Sequence, residues 1–227
     1  MKLSNKLVAC TVLAASTGLS SVAMAESPLT GNIGITNNYI FRGVTQTDDD
    51  AAISGGIDYA HEAGFYVGTW ISSLGGRGNN AGGYEQDIYA GYGFEAGPVG
   101  LDVGYIQYLY PVSNANSDLS EAYVNGNWKM LSFGGAYTVS KDGTSEDNDL
   151  YLYIGADFEV AKGLNLGVLY GNYDFDDAAS EDYSHFQVSV SKDEFTFALD
   201  KNDLTDSGAG EDDIRFTVSY SKSIDLL

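Results

Sequence analysis

Acidic side chains recur on the polar side of segments in which apolar and polar residues alternate. In residues 84–94, for example, Glu85 and Asp87 have the parity opposite to the apolar residues. Carboxylates arranged around a lumen attract cations, as charged rings do in pores generally. The acidic residues predicted to face such a lumen are Asp58, Glu85, Asp87, Asp102, Glu121, Asp157, Glu159 and Asp200.

Arg42 and Arg215 are the arginines of the chain apart from Arg77. Arg42 is predicted to end the first strand and Arg215 to begin the last, both with polar parity. Closing a barrel pairs these two strands, so the two guanidinium groups should lie near each other at one mouth, with acidic neighbours. Two interpretations stay open: a constriction in which arginines face carboxylates, or a pair that neutralises acidic loops and seals the barrel seam.

Aromatic residues on the polar parity are expected to narrow the lumen. They could contact a ligand, although filling space is the simpler explanation. The inward tyrosines are predicted to be Tyr66, Tyr89, Tyr108, Tyr110, Tyr123, Tyr151, Tyr153, Tyr173 and Tyr183.

An enzyme is a competing class of protein. It would need a histidine, and the chain has only His61 and His185. Ser184 has the parity opposite to His185, so it cannot be the nucleophile of that histidine. A water-activating pair of His185 with Asp182, or with an aspartate of a neighbouring strand, stays open. We predict no catalytic residues and no enzyme.

Two acidic loop segments, 146–149 and 174–177, carry the hard oxygen ligands that Ca²⁺ prefers. Neither segment has the glycine placement of an EF-hand, and solvated acidic loops explain both. No metal site and no cofactor are predicted.

Alternation of apolar and polar residues extends along the chain after residue 25 and predicts twelve strands of about ten residues. The first strand is expected to reach Arg42, with Tyr39 and Phe41 on the apolar side. Short turns are predicted at 61–64, 95–98, 128–130, 160–163 and 192–194, and long loops at 43–50, 75–83, 111–119, 141–149, 174–182 and 203–213.

Charge is sorted by the length of these connections. The long loops collect carboxylates such as Asp48, Asp49 and Asp50, while three short turns hold Lys129, Lys162 and Lys192. Short turns at one end and long loops at the other, with an even number of strands, are typical of an outer-membrane barrel.

The first residues predict a leader rather than part of the fold. Lys2 and Lys6 precede an apolar stretch, and small residues before Glu26 form a cleavage pattern. We therefore predict a signal peptide at 1–25, which contains the lone Cys10, and a barrel at 26–227. Without Lys2 and Lys6, 9 basic residues stand against 32 acidic ones, a formal charge of −23. Nucleic acid is an unsuitable partner for so acidic a chain.

A soluble β-protein would show the same alternation with its apolar face inward. Two features favour lipid outside: the second face is polar on nearly every strand, and tyrosines gather near strand ends, as in interfacial girdles. The girdle tyrosines are predicted to be Tyr39, Tyr59, Tyr84, Tyr92, Tyr105 and Tyr220.

The first loop region contains a distinctive motif. Residues 38–48 read NYIFRGVTQTD, followed by ISGGIDY at 53–59, GFYVGTW at 64–70 and EQD at 85–87. This pattern resembles the TorF-type porins, a family of proteobacterial outer-membrane proteins, and the likeness extends along the mature chain. The resemblance implies an outer-membrane barrel assigned as a porin, and it names no substrate.

The sequence therefore predicts an all-β protein: an antiparallel up-and-down transmembrane β-barrel of about 12 strands in the cell outer membrane. The expected partners are outer-membrane lipid, lipopolysaccharide, the barrel-assembly machinery and small solutes. Its predicted function is a porin-like channel for passive diffusion of small solutes, weakly selective for cations because its lumen is acidic. The alternative is a non-conducting structural or adhesive barrel, or an outer-membrane hydrolase.

Overall fold

The computed structural model describes residues 28–75, 83–112, 117–143, 148–205 and 210–227. The predicted leader lies outside these residues. The strands of the described residues form a closed barrel of twelve strands and a separate two-stranded hairpin. The hairpin is β2 (Ile40–Phe41) with β3 (Val44–Thr45). The barrel strands are β1 (Leu29–Thr36), β4 (Ala52–Ala60), β5 (Phe65–Ser73), β6 (Tyr84–Ala96), β7 (Val99–Leu109), β8 (Leu119–Trp128), β9 (Leu131–Lys141), β10 (Leu150–Ala161), β11 (Leu164–Asp174), β12 (Tyr183–Lys192), β13 (Phe195–Asn202) and β14 (Arg215–Asp225).

Each barrel strand pairs antiparallel with its neighbour in the chain, and β1 closes the ring on β14. At this seam Thr30 faces Asp225 and Thr36 faces Ser219, so the pairing extends over nearly all of β1. Closure leaves no unpaired edge, which a spanning sheet requires in lipid. The predicted antiparallel barrel of twelve strands is confirmed.

The short turns and long loops alternate around the barrel as the sequence predicts. The turn after β8 consists of Lys129 and Met130, and the turn after β12 consists of Asp193 and Glu194. Lys129 and Asp193 have positive φ angles of 56° and 52°, which two-residue hairpin turns require because their twist must match that of the strands. We call the end with the long loops the outer end.

Large apolar side chains cover the outside of the barrel. Ile35, Ile57, Leu152 and Phe216 are all about half exposed, and similar residues occur on the other strands. The buried residues include many polar and ionisable ones. This distribution is the inverse of that in a soluble protein, and a band of apolar residues around a polar interior is the build of a barrel in the outer membrane.

The described residues contain no helix long and apolar enough to cross a membrane.

The first strand is shorter than the sequence predicts. It ends at Thr36, because the Asn37 side chain bonds to the β14 backbone: its amide donates to the Phe216 carbonyl at 3.1 Å, and its oxygen accepts from the Val218 N–H at 2.6 Å. The chain then turns inward. Tyr39 and Phe41, expected on the lipid side, instead pack inside the barrel. Tyr39 is therefore not part of the outer girdle.

Candidate functional site: the lumen and its inward hairpin

The inward hairpin consists of β2, β3 and the two residues between them. Ile40 pairs with Thr45 and Phe41 with Val44, which leaves Arg42 and Gly43 as the turn. Their φ angles are +49° and +81°. Two consecutive positive φ angles define the primed turn that tight hairpins favour, and glycine adopts this conformation without a steric penalty.

Asn38 holds the base of this hairpin together. Its side-chain oxygen accepts hydrogen bonds from the hydroxyls of Thr45 (2.6 Å) and Thr47 (3.1 Å), and its amide donates to Asp49 at 2.7 Å. The N–H of Gln46 donates to the Tyr39 carbonyl at 2.7 Å. Asn38 and Thr47 are buried, so these bonds form a shielded network that fixes how the hairpin enters the lumen.

At the hairpin tip, Arg42 crosses the lumen to Glu121 on β8. Its Nη1 donates to Glu121 Oε1 at 2.8 Å and its Nη2 donates to Oε2 at 2.7 Å, a bidentate pair. Tyr108 also donates to Glu121, at 3.1 Å. Arg42 is only 2% exposed and Glu121 only 1%, so the pair is withdrawn from solvent.

Three aromatic rings surround the Arg42 guanidinium. Its Cζ lies 4.3 Å from the ring centre of Tyr151 and 5.2 Å from that of Tyr173, both on the wall, and 4.6 Å from that of Phe41 in the hairpin. These distances are those of cation–π contacts. Burial alone would lower the pKa of Arg42, but the Glu121 carboxylate raises it above its ordinary value, so the side chain stays charged.

Strands on other sides of the barrel bind the rest of the hairpin. The Asn202 amide on β13 donates to the Gly43 carbonyl at 2.8 Å. Tyr39 donates to Glu85 on β6 at 2.9 Å and packs edge-on against Trp70 of β5, with ring centres 5.6 Å apart. Burial and the Glu85 carboxylate both raise the pKa of Tyr39, so its hydroxyl stays protonated as the donor. The hairpin thus bridges the lumen near its outer end.

Below the hairpin, towards the short turns, buried tyrosines of the lumen donate hydrogen bonds to aspartates that are only partly buried. Tyr66 donates to Asp102 at 2.7 Å, and Tyr89 donates to Asp58. Asp102 also accepts from Asn125 at 3.3 Å. Polar groups that keep some contact with solvent make this half of the lumen wettable.

Two cavities flank the hairpin on the side of β12–β14. The smaller, about 40 Å³, lies between the hairpin and the wall and includes Tyr39, Gln187 and Asp200. The larger, about 270 Å³, lies between Asn38, Asp49 and the start of β14. Both cavities border Asn38, so they lie at the base of the hairpin rather than at its tip.

The structure places the predicted acidic residues in three settings. Glu85, Asp87, Glu121 and Asp200 are buried in the outer half of the lumen. Asp58, Asp102 and Asp157 are partly buried nearer the short turns. Glu159 is exposed and accepts a hydrogen bond from the Gly163 N–H of the adjacent turn, so it lies at the rim. That these residues line a conducting path stays a prediction.

The prediction that Arg42 ends the first strand, paired beside Arg215, is wrong. Arg42 is not on β1, because the chain leaves the wall at Asn37, and its partner strand β8 lies opposite β14 in the ring. Arg215 instead pairs with Asp49 at 3.0 Å and donates to the carbonyls of Gly210, Glu211 and Asp213. Each arginine has its own acidic partner, one inside the lumen and one at the outer mouth.

The nine tyrosines predicted to face inward are buried or partly buried. Tyr151, Tyr173 and Tyr183 form one cluster with parallel or tilted rings, and Tyr66, Tyr89, Tyr108 and Tyr123 belong to another. They fill the space around the hairpin.

The two histidines lie in different environments. In the turn after β4, His61 accepts a hydrogen bond from the Ala63 N–H at 3.1 Å. His185 is buried in the lumen, with Nε2 2.8 Å from the Tyr151 hydroxyl. Ser184 bonds to Tyr170 on the outside, so it is on the opposite face from His185, as its parity predicts. Among the described residues, no group of three or more His, Cys, Asp or Glu is placed to hold a metal ion; Glu146 and Asp147 lie outside them.

A closed antiparallel barrel with an apolar outer band and a polar lumen defines the class of outer-membrane β-barrels. Within that class, residues 22–209 match the family described as bacterial protein of unknown function (Gcw_chp). Because the match covers most of the chain, this protein belongs to that family. No curated protein matches the sequence significantly.

Solved porins share the fold. The KdgM porin is similar with a TM-score of 0.57 and 11% sequence identity, over 86% of this chain and 99% of that one. A KdgM porin in complex with disordered oligogalacturonate gives a TM-score of 0.52 and 9% identity, over 88% of this chain and 99% of the other. At such low identity the likeness shows the fold alone.

Proposed function

We propose that this protein is an outer-membrane channel through which small solutes diffuse passively, and that the inward hairpin constricts it. The observation that carries the proposal is the lumen itself: a closed barrel that buries ionisable and hydroxyl side chains inside while apolar residues face outward. A barrel with only a structural role could fill its interior with apolar residues. The resemblance to TorF-type porins and the fold shared with KdgM support the same proposal.

A preference for cations follows from the charges of the lumen. Seven of the predicted carboxylates face it, against Arg42 inside, while Arg215 and Lys141 at the outer mouth each pair with a further carboxylate, Asp49 and Asp149. The seven carboxylates are Asp58, Glu85, Asp87, Asp102, Glu121, Asp157 and Asp200. Asp87 Oδ1 and Asp200 Oδ2 are buried with no hydrogen-bond partner among the described residues. Water or a passing cation can solvate such oxygens, which otherwise carry a desolvation cost of about 1–3 kcal/mol or more.

The second candidate is a barrel that does not conduct. The deep burial of Arg42 and Glu121 favours it, because the hairpin contacts walls on several sides of the lumen. In that case the hairpin is a permanent plug and the polar lumen only anchors it.

Planar-bilayer recordings on the refolded protein separate the two candidates. The native chain is compared with a shortened variant in which Asn-Gly replaces residues 40–45. This turn suits the site because the Tyr39 carbonyl and Gln46 N–H already meet at 2.7 Å. A constricted channel predicts a small conductance for the native chain and a larger one for the variant. In a salt gradient, the reversal potential should show cation preference.

The outcomes differ for each part of the proposal. Current through the shortened variant but not through the native chain would identify a plug. Silence of both folded proteins would reject a channel altogether, and an anion-selective reversal potential would reject only the predicted selectivity. Outer-membrane lipid is the partner that the apolar band fits, whereas lipopolysaccharide and the barrel-assembly machinery stay predictions.

A further inference from the structure

The barrel wall around the Arg42 guanidinium supplies both a carboxylate and aromatic faces to the cation. Glu121 supplies two carboxylate oxygens at 2.7 and 2.8 Å, and the faces of Tyr151 and Tyr173 cover the cation. A carboxylate that accepts a fork of N–H groups, beside aromatic faces, matches a guanidinium in shape and in charge.

Everything in this site except Phe41 belongs to the barrel wall. Glu121 is on β8, Tyr151 on β10 and Tyr173 on β11, and Tyr108 on β7 orients Glu121 through a hydrogen bond of 3.1 Å. Strands of a closed barrel hold these groups in place whether or not the hairpin is there. The site would therefore remain if Arg42 left it.

Apart from Arg42, the hairpin tip is tied to the wall through Gly43. Its carbonyl accepts a neutral hydrogen bond from Asn202, and its backbone packs against His185. The bidentate pair of Arg42 with Glu121 is thus the strongest polar contact at the tip. A ligand that competes for Glu121 acts directly on the contact that keeps the hairpin inward.

We propose that this wall site recognises the cationic group of the transported solute, a small molecule bearing a guanidinium, and that Arg42 is a tethered occupant which such a solute displaces. Displacement removes the main anchor of the tip and widens the lumen. This inference rests on the proposed channel function and names the substrate class of the same site.

The tethered Arg42 side chain competes with free ligand for the wall site, and this competition sets the ligand concentration that binding needs. A group on a short linker competes at an effective concentration in the millimolar range or above. In the native protein a free guanidinium must overcome that competition, whereas in Arg42→Ala the site is open. We therefore expect Arg42→Ala to bind guanidinium at least about tenfold more tightly than the native chain does.

Calorimetric titration of the refolded barrels with guanidinium chloride at low millimolar concentrations tests the binding site. Urea is the matched probe, since it has nearly the same planar shape without the charge. Guanidinium should bind Arg42→Ala, and urea should not. Adding Glu121→Gln to Arg42→Ala should weaken guanidinium binding at least about tenfold, because the bond is charge-assisted. The control Lys201→Ala removes an exposed cation that pairs with Asp212, and it should bind like the native chain.

Liposome-swelling rates test the substrate class. L-Arginine carries a guanidinium group where L-citrulline carries a neutral urea group, and the two are otherwise identical. We expect L-arginine to enter the native barrel several times faster. Any of three results would overturn the proposal. They are equal guanidinium binding by the native and Arg42→Ala proteins, urea binding to Arg42→Ala as tightly as guanidinium does, and equal entry rates of the two amino acids. If no variant conducts but guanidinium binding follows the expected order, the channel function fails while the binding site stands.

Discussion

The side-chain amide of Asn202 donates a hydrogen bond of 2.8 Å to the backbone carbonyl of Gly43, which ties the hairpin tip to β13. Gly43 also lies against His185 of β12, so closely that a Cβ at this position would overlap the imidazole. The absence of a side chain at Gly43 therefore decides how deeply the hairpin enters. Arg42 can reach Glu121 only because the neighbouring residue fits against the opposite wall.

Gly43→Ala should dislodge the hairpin. The substitution meets a positive φ of 81°, which costs about 1–2 kcal/mol for a residue with a Cβ, and it also meets His185. Channel recordings should show a larger or noisier conductance, and thermal unfolding should show a lower Tm. The matched control is Gly97→Ala, whose φ is +65° but whose Cβ would have no atom within 4 Å. If Gly97→Ala changes the conductance as much as Gly43→Ala does, close packing on His185 is not what holds the tip.

Arg215→Met should loosen the outer mouth. Arg215 is 8% exposed and donates to three backbone carbonyls as well as to Asp49. Asp49 is half exposed, so that ion pair contributes little, and most of the loss comes from hydrogen bonds to a buried charge. We expect the free energy of unfolding to fall by about 2 kcal/mol. Amide hydrogen exchange in residues 210–214 should become faster.

Lys201→Met provides the comparison for Arg215→Met. Lys201 pairs at 2.8 Å with Asp212, in the loop whose backbone carbonyls Arg215 contacts, but both partners are about 40% exposed. Its loss should change the free energy of unfolding by less than about 1 kcal/mol. Equal effects of the two substitutions would mean that Arg215 is no more than another surface cation.

Asp102→Asn should reduce cation selectivity while keeping the fold. Asp102 lies in the wettable half of the lumen, where it accepts hydrogen bonds from Tyr66 and Asn125, and an amide oxygen can still accept from Tyr66. A unit charge about 4 Å away contributes about 1 kcal/mol in water, so the local cation concentration should fall by up to about fivefold. Reversal potentials in a salt gradient measure the effect. Glu62→Gln removes a charge from an exposed turn and should leave the reversal potential unchanged.

The barrel could be predicted from the sequence because alternation is a local property. Each strand repeats the same two-residue period, and the short turns mark strand ends without reference to distant residues. The parity of Glu85, Asp87 and Asp200 likewise assigned them to the inside, where the structure has them.

The inward hairpin could not be predicted from alternation, because Tyr39 and Phe41 continue the period of β1. What ends the strand is a tertiary contact, the bonding of Asn37 to β14, which lies at the far end of the chain. One local signal was available. Arg42-Gly43 between two β-branched or aromatic pairs is compatible with a two-residue hairpin turn, which needs positive φ angles. The pairing of Arg42 with Glu121 carries no sequence signal, because it depends on the width of the closed barrel.

Ile154→Lys tests whether the outer face contacts lipid. Ile154 is the fifth residue of β10, is 55% exposed, and lies between the exposed side chains of Phe133 and Tyr170 on neighbouring strands. A lysine near the middle of the hydrocarbon layer costs about 2–4 kcal/mol in such a barrel, whereas a charge on a water-facing surface costs little. Urea unfolding of the barrel in lipid vesicles should therefore show a lower free energy of unfolding by that amount. Ala63→Lys places the same charge in an exposed turn outside the wall, and it should stay within about 0.5 kcal/mol of the native chain. Equal stability of the two lysine variants would contradict a lipid-facing wall.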